Sequence, residues 1–198
     1  MNHEQLALIG PILTQKIETL FPQVAVDGGI RYATNPVLWV GDGDSGVAPT
    51  HIPVILKTSQ DETDLRHALK QVQSWNWKQL HLYGFLGKRK DHEWANLGEV
   101  CQELASRPHI SSAIFYDEEL NPQILIFQSG SSSFAVNGLF SLFSFESAII
   151  SISGECRYEM LKLPLTPFSG RGVSNVGSGL IQVQSSAPFM VMIVGDEK

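Results

Sequence analysis

With 198 residues, 43% of them hydrophobic, the chain has core enough for one large domain or two small ones. Its net charge of −6, with no run of Lys or Arg that stands out, gives nucleic-acid binding no electrostatic support. No apolar stretch approaches the roughly 20 residues that span a bilayer, and the opening MNHEQLALIGPILTQ lacks the basic-then-apolar pattern of a signal peptide. Cys101 and Cys156 are far apart and fit no metal spacing. A cytoplasmic protein with reduced thiols, no membrane contact and no nucleic-acid partner is the expectation.

Through the first 119 residues, short apolar runs alternate with amphipathic stretches. LALIG reads as a strand, ILTQKIETLF as a helix, and QVAVDGG as a strand ending in a tight turn. VLWVGDGDSG is a strand with a turn and PVILKTS another strand. DLRHALKQVQSW follows as a helix, QLHLYGF as a strand, HEWANLGEVCQELAS as a helix and SAIFYD as a closing strand. Such alternation builds a mainly parallel sheet flanked by helices.

The remainder differs in kind. Between Leu120 and Gly195 only Glu146, Glu155, Arg157, Glu159, Lys162 and Arg171 are charged. QILIFQSG, SSSFAVNG, FSLFSFES, AIISISG, RYEMLKLPL, GLIQVQSS and PFMVMIVG are short runs punctuated by Ser and Gly, several alternating apolar with small polar residues as half-buried antiparallel strands do. The apolar residues interleaved through the Ser-rich stretch from Ser129 to Ser153 argue for strands over low complexity. Asn121-Pro122 marks a boundary. The expected architecture is an α/β N-terminal domain with a mainly parallel sheet over 1–119, then an all-β, antiparallel, sandwich-like C-terminal domain over 120–198.

Asp42, Asp44, Asp61, Asp64 and Asp91 fall in three acidic clusters placed where predicted strands run out. An open α/β sheet binds its ligand there, beyond the carboxyl ends of the strands. Carboxylates gathered in one place repel one another, and a hard divalent ion such as Mg²⁺ relieves that cost while sharing its coordination with phosphates. In GDGDSG, a turn would let Asp42 and Asp44 reach one ion; in QDETD, Asp61 or Thr63 could cap a helix beginning near Asp64. In GFLGKRKDHEWAN, Lys88, Arg89 and Lys90 could meet phosphate oxygens and Asp91 opens a helix, while His92 suits a partly buried structural role better than that of a base. SGRGVSN offers Ser174 and Asn175 to a polar ligand. Each string alone also fits an ordinary turn, cap or hairpin connection.

Taken in order, the clusters resemble the thiamin pyrophosphokinase family. Its Asp-Gly-Gly turn, GDxDS, [KQ]DxTD, GxxGxRxDHxxAN, late Tyr-bearing strand and RGxSN stand here as Asp27–Gly29, Gly41–Ser45, Gln60–Asp64, Gly84–Asn96, Tyr158 and Arg171–Asn175. The resemblance spans nearly the whole chain. It implies a homodimeric enzyme that moves a diphosphoryl group from ATP to the thiamin hydroxyl, with Mg²⁺ as cofactor and AMP released. By similarity Asp42, Asp44 and Asp64 are metal and phosphate carboxylates, with Asp42 and Asp64 at the chemistry. Gln60, Thr63, Arg89 and Asp91 join Asp44 on the nucleotide side, and Asp27, Ser174 and Asn175 face thiamin. The chain departs from the family pattern at Gly43, Gly46, Ile30-Arg31, Lys88 and Val176. Diphosphoryl transfer to another hydroxymethyl heterocycle, such as a pterin, and a binding protein without turnover are the alternatives.

Overall fold

The computed structural model describes residues 4–44 and 48–195, so Ser45 and Gly46 of the GDGDSG string lie outside the described residues. The chain divides into two units, 1–100 with 113–121, and 101–112 with 122–198.

In the first unit the strands are β1 (Gln5–Ile9), β2 (Gln23–Val26), β3 (Pro36–Gly41), β4 (Val54–Leu56), β5 (Gln79–Tyr83) and β6 (Ser112–Tyr116), in the order β6-β5-β1-β2-β3-β4. The neighbours from β5 through β4 all pair in parallel. Every residue of β2 is buried, as is all of β1 after Gln5, which explains their continuous apolar runs. Helix α1 (Asp64–Gln71) follows β4, and α2 (Lys90–Ser106) follows β5, its residues from Cys101 on counted with the second unit. Parallel pairing gives β1 to β5 a common carboxyl edge, and the acidic strings follow β2 and β3 there.

Close backbone packing sets that edge. A Cβ on Gly29 would lie 1.8 Å from the Ile9 carbonyl oxygen, and one on Gly41 would lie 2.9 Å from the Asp27 Cα. Only glycine lets the ends of β1, β2 and β3 approach so closely. Between them Asp27 takes a left-handed conformation (φ 47°) as β2 turns into a single 3-10 stretch, and its carbonyl accepts a 2.9 Å hydrogen bond from Trp39 Nε1. An Asp tolerates that conformation better than most residues, and strain of this kind gathers at functional sites.

The expected helix over ILTQKIETLF is not formed. Leu13 and Ile17 are both buried, which is the spacing that suggests one turn of helix, but Leu20 is fully exposed. Ile17 instead makes a parallel bridge to Ala33: its N–H donates to the Tyr32 carbonyl at 2.8 Å, and its own carbonyl accepts from Gln23 Nε2 and Thr34 Oγ1. Tertiary partners satisfy the backbone, and Pro11 and Pro22 bracket a stretch too short to be helical without them.

The second unit contains β7 (Pro122–Phe127), β8 (Gly130–Ser144), β9 (Ala148–Cys156), β10 (Met160–Leu165), β11 (Asn175–Ser185) and β12 (Phe189–Gly195) in the order β10-β9-β11-β8-β12-β7, each neighbouring pair antiparallel. The antiparallel, all-strand character matches expectation, but the strands bond as one series and not as two sheets. SSSFAVNG and FSLFSFES are one strand, β8, which runs through Asn137-Gly138 without turning because β11 pairs with it along its length. β10 is shorter than RYEMLKLPL, and β11 starts earlier than GLIQVQSS, at Asn175. The Ser-rich stretch forms true strands: Ile150 and Ile152 point into the core while Ser153 faces out.

Candidate active site

At the carboxyl edge of the parallel sheet, the acidic side chains meet. Asp27 follows β2 and Asp42 follows β3; Asp44 donates its backbone N–H to Asp42 Oδ1 at 3.1 Å. Asp27, Asp42 and Asp44 each offer a carboxylate oxygen within 4.8 Å of the others. Asp27 is 8% exposed, and its Oδ1 has no hydrogen-bond partner. Buried oxygens are seldom left so, and a hard cation is the natural occupant of such a set.

Asp64, the first residue of α1, stands beside this set. Thr63 caps the helix, its Oγ1 accepting from Arg66 N–H at 3.0 Å and donating to Glu99 Oε2 at 2.6 Å. Of the two capping candidates it is therefore Thr63, not Asp61, that serves; Asp61 is exposed and bonds Ser59. Asp64 meets Lys57, which no sequence motif singles out: Nζ lies 2.9 Å from Asp64 Oδ1 and 3.9 Å from Asp42 Oδ2. Burial pushes the Asp64 carboxyl above its ordinary range, opposed by Lys57 and reinforced by the charges of Asp42 and Asp27. Asp42 moves the other way. The Asp44 N–H holds it below the ordinary range against desolvation, with help from the Asp44 side chain, Lys57 and Gln60.

A cavity of about 260 Å³ adjoins the carboxylates, lined among others by Asp27, Thr63, Asp64, Lys88, Arg89 and His92. Arg89 is paired with Asp91, and its guanidinium holds that exposed carboxyl down to about 2. Lys90 instead pairs with Glu93 at 3.0 Å. His92 is exposed on α2 and faces the cavity, in contrast to the partly buried role expected of it. Asn96, buried, donates to the Phe85 carbonyl at 3.1 Å and ties the Gly84–Arg89 loop to α2. A larger hollow of about 430 Å³ at the amino ends of β1 to β3, lined by Leu6, Pro22, Val37, Trp75 and Trp77, has no titratable side chain in its wall among the described residues.

In the second unit, Arg171 lies in a short 3-10 turn before β11, with NH1 donating to the Pro164 carbonyl at 3.3 Å. Ser174 is exposed with φ 63°, while Asn175 is 1% exposed. The Asn175 amide is fully engaged: Oδ1 accepts from Tyr158 N–H at 3.0 Å and Val176 N–H at 2.9 Å, and Nδ2 donates to the Tyr158 carbonyl at 2.7 Å. The structure thus gathers Asp27, Asp42, Asp44, Gln60 and Asp64, lines one cavity with Asp27, Thr63, Asp64 and Arg89, and holds Asn175 against the Tyr158 backbone. Lys57 is the participant that the sequence reading missed. A lone Lys after an apolar run signals nothing until the β3–β4 register buries it.

An open parallel sheet with a carboxylate-rich carboxyl edge and a cavity-lining basic loop beside it is an arrangement that can hold a cation and meet phosphate oxygens. Among solved structures, the thiamine pyrophosphokinase from Bacillus subtilis shares the fold with TM-score 0.74 at 16% identity, covering 96% of this chain and 99% of that one. Those from Geobacillus thermodenitrificans (TM-score 0.72, 18% identity, 96% and 98% covered) and Candida albicans (0.69, 16%, 94% and 88%) are likewise similar. No curated protein sequence matches the chain. Residues 17–111, the span holding Asp27 through Asp91, match the family described as thiamin pyrophosphokinase, catalytic domain.

Proposed function

We propose that this protein is a kinase-type transferase that moves the β,γ-diphosphoryl group of ATP to the hydroxyl of thiamin, releasing AMP. The observation that carries this reading is the convergence of Asp27, Asp42, Asp44 and Asp64 on one edge of the parallel sheet, beside a cavity walled by Lys88 and Arg89. Transfer of this type depends on positioning and on neutralising charge that develops on phosphate oxygens. The donor set fits Mg²⁺: all oxygens, one of them buried and unpartnered. When bound, Mg²⁺ supplies the positive charge that offsets the phosphates. Asp42 and Asp44 would hold it, with Asp27 closing the set and Asp64 oriented beside it by Lys57.

The chain's own residues do the rest. Lys88 and Arg89 neutralise phosphate oxygens from the cavity wall, and Asp91 orients the Arg89 guanidinium. Gln60 steadies Asp42, and Thr63 fixes the start of α1 so that Asp64 faces the site. In this reading residues 1–119 carry nucleotide and metal, and 120–198 carry acceptor binding and pairing of two copies in a cytoplasmic homodimer. Ser174 offers its exposed hydroxyl to thiamin, and Asn175 acts by holding Tyr158.

Purified protein incubated with ATP, Mg²⁺ and thiamin is expected to form AMP and thiamin diphosphate in equal amounts. ADP with thiamin monophosphate would refute diphosphoryl transfer. AMP released only with a pterin alcohol would reassign the acceptor, and tight binding with no product would leave a binding protein.

A further inference from the structure

Lys57 is the one buried Lys or Arg among the described residues, 7% exposed. Its place is set by the sheet: its N–H donates to the Gly41 carbonyl at 2.8 Å, which carries the β3–β4 pairing one residue past β4 and puts Lys57 next to Asp42. The ammonium donates to the Glu62 carbonyl at 3.2 Å, contacts Asp64 Oδ1 at 2.9 Å and lies 3.9 Å from Asp42 Oδ2. Charge taken out of water is retained where such partners replace the solvent. Asp42 belongs to two groups at once, the Lys57 ion pair and the oxygen set with Asp27 and Asp44.

We propose that Lys57 is a resident cation of the acidic site, a positioning residue that orders Asp64 and Asp42 before substrate arrives and makes the site reject a free divalent ion in favour of one carried by a polyphosphate. The inference rests on the metal–nucleotide reading above. A divalent ion drawn to Asp27, Asp42 and Asp44 enters within a few ångströms of a fixed ammonium, and like charges at that range repel strongly inside a protein. A metal that comes with phosphate oxygens brings negative charge that offsets both cations, so the repulsion falls. The unpartnered, buried Asp27 Oδ1 gives the ion a reason to enter; Lys57 sets the condition on which it does. An ordinary structural ion pair would steady the fold and leave this selectivity untouched.

The test is Mn²⁺ binding, counted by the electron paramagnetic resonance signal of the free ion, with and without a non-hydrolysable ATP analogue. Removing the ammonium in Lys57→Met is expected to tighten binding of Mn²⁺ alone by roughly tenfold. Lys57→Arg, which keeps the charge, stays within about twofold of the parent protein. In the presence of the analogue the advantage of Lys57→Met shrinks. Should Lys57→Met not fold, Lys57→Gln carries the same measurement. If the parent protein binds Mn²⁺ through Asp42, as loss of binding in Asp42→Asn would show, and removal of Lys57 leaves that affinity equal or weaker, the role of Lys57 is overturned while the metal reading stands. If neither the parent nor the Lys57 variants bind Mn²⁺ with the analogue present, both fall together.

Discussion

The two units spend polar residues in opposite ways. In the first, parallel strands all end on one edge, and the loops that leave that edge carry Asp27, Asp42, Asp44, Lys57 and Asp64 into contact. In the second, antiparallel strands turn back at both ends and the polar residues line a face instead: Ser131, Ser133, Ser153, Gln182 and Gln184 stand outward, opposite the buried Phe134, Ile152 and Val183. An edge concentrates charge; a face disperses uncharged hydroxyls and amides. On the proposed reading the chemistry belongs to the edge, and the second unit contributes to recognition through isolated groups such as Ser174.

The largest effect expected from that difference is loss of turnover on removing one edge carboxylate. Asp42→Asn should reduce kcat/KM for AMP formation by at least roughly a hundredfold, the scale on which preorganised electrostatic groups act in transition states, with an unchanged far-UV spectrum. A tenfold loss or less would mean that the edge does not carry the reaction. Ser153→Ala, on the outward face of the second unit, should leave both activity and stability within experimental error.

A second test sets pH against the interior of the first unit. His81 on β5 is buried, its Nδ1 2.8 Å from the Tyr116 hydroxyl and its ring tilted against Phe21 at 4.7 Å, with Nε2 unpartnered. Burial holds the imidazole down to about 4 from 6.5, so the fold favours the neutral ring. That contribution is complete above pH 6.5 and is lost as pH falls towards 4, because the unfolded chain then takes up a proton that the native core refuses. His81→Phe should remove the loss, narrowing the gap in unfolding free energy between pH 7 and pH 4 by about 3 kcal/mol. Urea melts at the two pH values measure it, and an unchanged gap would show that His81 protonates freely in the folded state.

Much of the edge was legible because its grammar is local. Asp-Gly turns, a Thr before an amphipathic run and basic residues before a helix each have their own backbone reason to be where they are. What escaped depended on partners distant in sequence. Lys57 looks like a strand-end lysine until Gly41 accepts its N–H, and the helix-like spacing of Leu13 and Ile17 yields to a bridge from Ile17 to Ala33. Asn175 was legible as a polar residue in a suggestive string, yet its amide serves the backbone of Tyr158, 17 positions away. Asn175→Ala should accordingly cost about 1 kcal/mol in stability, since it removes the partners of part-buried backbone groups. A melt unchanged by that substitution would return the amide to ligand binding.

The smallest effect separates a cap from a catalytic part. Thr63 Oγ1 closes the first turn of α1 and also donates to Glu99, whose carboxyl burial pushes up. Thr63→Ala should lower stability by about 1 kcal/mol, the usual worth of an N-cap, and Thr63→Ser should restore it because the hydroxyl returns. Since Asp64 is the very next residue, the loosened turn should also raise KM for ATP more than it lowers kcat: the carboxylate remains present but less well placed. Equal losses in Thr63→Ala and Thr63→Ser would show instead that the γ-methyl packing matters, and the edge would then owe its geometry to the core beneath it and not to the cap.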